Sequence, residues 1–195
     1  MNFESNKKVL IGSNTLRNIG GASASGHIQL EGTTANTSSV SLINNQANAN
    51  SPVLSFGKTR GTSDGAVTTV ADGDNLGGIR FCGADGTDIE NSTALIKAVV
   101  NGTVAGNQIP TDITFETSAT NSSNRTERLR ITSAGKVGIN STAPNTRLDV
   151  VESSASRTWT PSTSVVSMFE RNGNSRIAIV GSASGISGID FADTN

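Results

Sequence analysis

Two acidic clusters have the spacing closest to a ligand site. Asp72-Gly73-Asp74-Asn75 and Asp85-Gly86-Thr87-Asp88-Ile89-Glu90 are oxygen-rich runs of the kind that hold calcium or magnesium. The first departs from the EF-hand pattern, because Leu76 and Gly77 stand where further ligands belong. Both also read as Asp-Gly turns, in which the carboxylate accepts hydrogen bonds from backbone amides just ahead of it. The turn is the commoner use. Metal binding is therefore the secondary reading at Asp72, Asp74, Asp85 and Asp88, and no cofactor is expected.

Nucleophilic chemistry has little to work with. His27 is the one histidine, and it lies in a strand-like run beside Ile28 and Leu30. A Ser-His-Asp arrangement would have to use it, yet no G-x-S-x-G elbow surrounds a serine. No H-E-x-x-H, P-loop or dinucleotide fingerprint occurs. Glycoside hydrolysis by two carboxylates leaves no local motif, so a polysaccharide depolymerase stays as an alternative. The absence of Tyr and the single Trp weigh against a sugar-processing groove, and the expectation is a protein that is not an enzyme.

Binding residues are scarcer than in most recognition proteins. Arg125, Arg128 and Arg130 cluster, with Arg147 following, and on a strand Arg128 and Arg130 share one side. They are candidates for an acidic glycan or for inter-chain salt bridges. Trp159 stands beside Pro161 in a loop, where it serves as a stacking platform or, preferably, an interface anchor. Cys82, alone in the chain, excludes a disulfide framework and a multi-cysteine zinc site. Its apolar neighbours make a small buried side chain the default reading.

Composition limits the partners. Net charge is −1 with 16% charged residues, which gives no basic face for nucleic acid. Hydrophobic residues are 34% and aromatics 4%, so material for a core is thin. Low hydrophobicity here comes without the high charge of disordered chains. Gly, Ser, Thr, Asn and Ala dominate instead and suit tight turns and flat β surfaces. No apolar stretch is long enough for a membrane helix. The opening MNFESNKKVLIG lacks the apolar region of a signal peptide, as expected of a product assembled in a host cytoplasm and released by lysis.

Short apolar runs separated by Gly, Asn, Asp and Ser clusters predict many short strands and an all-β fold. Ser92 to Val100 reads as a strand ending in the turn dipeptide Asn101-Gly102. Ile113 to Thr117 and Leu129 to Ser133 alternate, and residues 128–139 read as a β-hairpin. Lys58 to Asn75 and Glu152 to Ser164 read as long surface loops.

The chain also repeats itself. Lys8-Val9-Leu10-Ile11-Gly12-Ser13-Asn14 is echoed by Lys136-Val137-Gly138-Ile139-Asn140-Ser141-Thr142. Strand-like runs then match in order: 26–30 with 146–150, 40–43 with 166–169, 53–57 with 177–181 and 78–81 with 188–191. The offset drifts between about 110 and 130 residues, as loop insertions produce. Residues 1–25 then read as the closing strand of a preceding unit, 26–142 as a complete module and 143–195 as a partial second one. The stop at Asn195, directly after a strand-like run, reads as a fragment or a processed product.

Thin apolar content leaves strand edges unpaired in a single copy. Burial against symmetry mates supplies what is missing, and an elongated three-fold β fibre is the expected assembly.

The segment Glu127 to Val150, ERLRITSAGKVGINSTAPNTRLDV, resembles a motif of bacteriophage tail-fibre and tailspike proteins, E-R-[LM]-R-I-x-[ST]-x-G-x-V-G-I-G-T-x-x-P-x-x-[RK]-L-x-V. Asn140 and Ser141 stand where Gly-Thr is common. The resemblance implies a homotrimeric, β-rich structural protein of the virion that contacts other tail or capsid proteins and host-surface glycan. It implies a tail fibre with an adhesion role, or a capsid-decorating fibre without a receptor role. Such fibres often carry an endosialidase-type chaperone, which nothing here matches.

Overall fold

The computed structural model describes residues 9–13, 16–20, 28–120, 124–152, 165–171 and 174. The described residues are all-β, with one 3-10 turn at Ala35–Thr37 and no α-helix. Strands β1 (Val9–Ile11) and β2 (Ile28–Leu30) form a parallel pair. The main body is a mixed seven-stranded sheet whose strands follow chain order: β3 (Asn75–Gly83), β4 (Asn91–Val100), β5 (Thr111–Ser118), β6 (Arg125–Ile131), β7 (Val137–Ile139), β8 (Leu148–Val151) and β9 (Ser167–Glu170).

Strands β3 to β7 are an antiparallel meander. Its turns are where Gly and Asn interrupt the alternation. Between β6 and β7 the Thr132 amide donates to the Lys136 carbonyl and the Gly135 amide to the Thr132 carbonyl, both at 2.9 Å. This is the hairpin expected over 128–139.

From β7 onward the sheet turns parallel. Parallel neighbours usually need a crossover of a dozen or more residues. Here the strands are only three and four residues long, so the short 140–147 segment suffices to return the chain. Asn140 starts that return with φ +55°, a left-handed conformation that Gly adopts freely and Asn tolerates. Gly138 lies against the Ser141 carbonyl oxygen, which a Cβ would strike. Lys136 Nζ donates to the carbonyls of Pro144 and Asn145 at 3.1 and 3.2 Å, and the Asn145 amide donates to Asp149 Oδ2 at 2.9 Å. The sheet runs without a break across residues 142 and 143.

Two expected strands do not form. Residues 40–43 and 51–57 are irregular, and every residue from 39 to 60 is exposed. Among the described residues neither stretch makes a backbone-to-backbone hydrogen bond. Their apolar composition is that of strands, but among the described residues no strand pairs with them, and without a ladder a segment is not a strand. Residues 58–74 form the expected loop. His27, Trp159 and the runs at 177–181 and 188–191 lie outside the described residues.

Candidate functional site

Registers across the sheet sort its side chains into two faces, because successive residues of a strand alternate. Ile79, Ile96, Phe115, Leu129, Ile139, Val150 and Phe169 are successive register partners, one from each strand. They form an unbroken apolar rung across all seven strands. A parallel rung beside it runs Gly77, Ala98, Ile113, Ile131, Val137 and Leu148.

This apolar face is open. Ile79 is 48% exposed, Phe169 49% and Ile131 43%, while Phe115, Leu129 and Val150 are half-buried. Phe81, at the β3 edge on the same side, is also exposed. A groove of about 330 Å³ opens on the face between Ile79, Ile96 and Ile113 and is walled by Phe56.

The opposite face carries the charges and is closed. Asp112, Thr114 and Asp149 are fully buried there. Asp112 accepts from Arg130 Nη1 at 2.6 Å, Asn101 Nδ2 at 2.7 Å and the Ser133 amide at 2.8 Å. Arg130 also forms a bidentate pair with Glu127, both bonds at 2.7 Å. Glu116 bridges Lys97 at 2.7 Å and Arg125 at 3.2 Å. Burial pushes the Asp112 carboxyl up, but Asn101, the Ser133 amide and Arg130 together outweigh it and hold the group below its ordinary value. Glu116 is likewise lowered, burial being outweighed by hydrogen bonds from Lys97 and Arg125. Arg130 is held protonated by Glu127 first and then, against burial, by Asp112.

Arg128 and Arg130 take different parts. A β-bulge pairs Phe115 with Leu129 but Glu116 with Glu127, so Arg128 has no opposite residue. The extra residue reverses the alternation. Arg130 enters the charge network, while Arg128 is exposed and reaches Thr117 Oγ1 at 3.4 Å.

The acidic candidates serve turns. Asp74 is chelated by Arg60 at 2.7 and 2.8 Å and accepts the Ala71 amide at 2.9 Å, and the Arg60 guanidinium holds it well below the usual carboxylate range. Asp72 accepts the Gly102 amide at 2.7 Å. Asp85 accepts the amides of Thr87 at 2.8 Å and Asp88 at 3.3 Å and Asn91 Nδ2 at 2.7 Å, which lower its carboxyl in that order. Asp88 accepts the Glu90 amide at 2.9 Å. Among the described residues no three His, Cys, Asp or Glu side chains converge as a metal site would require. Cys82 is half-buried rather than fully enclosed.

The open rung was missed by sequence reading. Its only signal was an apolar residue near the middle of each strand, and nothing in the sequence showed that all seven align.

No protein-family model and no curated protein matches this chain. Among solved structures it is similar to the carboxy-terminal domain of the bacteriophage T5 L-shaped tail fibre, with 13% identity and a TM-score of 0.54. The match covers 80% of this chain and 60% of that one, so the likeness is one of fold over part of the longer protein.

Proposed function

We propose that this chain is a structural subunit of a bacteriophage tail fibre. It assembles as a homotrimer, resides on the virion, and acts as a rigid scaffold for host-surface adhesion rather than as a catalyst. The observation that carries this reading is the inversion of the sheet: charges closed in, and an apolar rung of seven residues of which Ile79, Ile139 and Phe169 are exposed and the rest only half-buried. A soluble monomer rarely exposes a contiguous apolar patch of more than a few hundred Å². Covering the rung with sister copies explains both faces at once and compensates for the low apolar content.

The fold likeness to a tail-fibre domain supports the assignment, and so does the fibre motif at residues 127–150. A stacked-repeat reading is supported by the two parallel pairs. Val9, Leu10 and Ile11 pair with Ile28, Gln29 and Leu30, as Val137, Gly138 and Ile139 pair with Leu148, Asp149 and Val150. Gly12 and Asn140, which align in the echo, both adopt left-handed φ, +83° and +55°. Three linked copies would multiply weak glycan contacts through effective concentration.

Antibody labelling of intact particles under the electron microscope tests this. Label on the tail supports a tail fibre, label confined to the capsid makes this a decorating fibre, and no label on particles refutes a virion role. Incubation with host-surface glycan is expected to release no new reducing ends, and release would make the protein a depolymerase.

A further inference from the structure

We infer that the arm formed by residues 40–57 is a strand donor that pairs with a second copy of this chain. The inference rests on the assembly proposed above and names the segment that builds it.

The arm has the side chains of strands without their partners. Val40 is 79% exposed, Ile43 78% and Val53 71%, and Leu42, Leu54 and Phe56 are all more than half exposed. Among the described residues the backbone at 40–43 and 51–57 makes no backbone-to-backbone hydrogen bond. A strand-like sequence with open backbone donors and acceptors is a template for strand addition.

Two further observations identify the partner. The echo of Val40-Ser41-Leu42-Ile43 is Val166-Ser167-Met168-Phe169, whose last three residues lie in β9 and pair parallel with β8. The same pattern therefore forms a ladder once a strand edge is offered. Phe56, at the other end of the arm, already lies against Gly77 on the apolar face, where a Cβ would collide with it. The apolar face thus accepts an apolar side chain of this very segment, while Ile79, Ile139 and Phe169 of its rung stay exposed. The exposed apolar side chains of arm and rung are of the kind that a stable interface between copies buries. The arm carries no charge between residues 40 and 57, which suits burial against an apolar surface.

Hydrogen exchange on the full chain, read beside its mass in solution, tests the proposal without altering the protein. The expected result is an oligomer in which amides of 40–43 and 51–57 exchange about 100-fold or more slowly than free amides. An oligomer with freely exchanging arm amides overturns the arm and leaves the fibre reading intact. Slow exchange in a monomer means that the partner lies in the same chain, and this overturns the inference too. A monomer with freely exchanging arms overturns both.

A proline scan gives a second check. Ser41→Pro and Leu42→Pro each remove one amide that makes no backbone-to-backbone bond among the described residues. In an added strand alternate amides face the partner, so one of the two is expected to weaken assembly at least about tenfold. Equal assembly by both would contradict the inference.

Discussion

Asp112 shows how much a single side chain can hold on this sheet. Three donors converge on it, and it keeps Arg130 paired inside a closed face. Removing it leaves Arg130 with Glu127 alone and strands the Asn101 amide and the Ser133 N–H, and a buried donor left unsatisfied costs about 1–3 kcal/mol. Asp112→Ala is therefore expected to lower unfolding stability by about 3 kcal/mol in a denaturant titration, and Arg128→Ala by less than about 0.5 kcal/mol, since Arg128 is exposed at the bulge. The same carboxylates set the pH response. The folded-state pKa values of Asp112 and Glu116 are depressed. Their contribution is thus fully present above the unfolded carboxyl values near ~4 and is lost as pH falls through the lower folded values. Thermal midpoints should be flat from neutral pH down to about 5 and fall below about 4. None of this network was legible beforehand. Alternation identifies which residues share a face, but a one-residue bulge at Arg128 reverses the parity and leaves no mark in the sequence.

At the scale of elements, the turn into the parallel strands explains the motif around it. Gly138 is needed because the Ser141 carbonyl folds back onto it, and Asn140 because the chain turns left-handed there. Gly138→Ala forces a clash with backbone rather than with a yielding side chain, and about 1–3 kcal/mol of destabilisation is expected. Asn140→Val should cost roughly 1–2 kcal/mol, while Asn140→Gly should be tolerated far better; chemical denaturation of the three variants compares them. Within 91–139 the strands were readable because short apolar runs are bounded by turn residues: Ile113 to Thr117 and Leu129 to Ser133 alternate, and Asn101-Gly102 and Ser133-Ala134-Gly135 mark turns. Residues 40–43 and 53–57 misled for a physical reason. A strand is a relation between two segments, and one segment's composition cannot show whether a neighbour is present.

The main body of the described residues is a seven-stranded sheet whose more exposed face is the apolar one. Alternation in the sequence predicted that each strand has an apolar side, but not that this side would stay open when one chain folds alone. Ile79→Asp places a charge on the edge of the rung at a position already 48% exposed. It should leave the single chain folded, with an unchanged circular dichroism spectrum, while weakening association by about 2 kcal/mol per interface. The most direct test of the account is the native mass of the full chain at micromolar concentration. The account predicts a particle of three 20.0 kDa chains, and a folded monomer with a cooperative melting transition would contradict it.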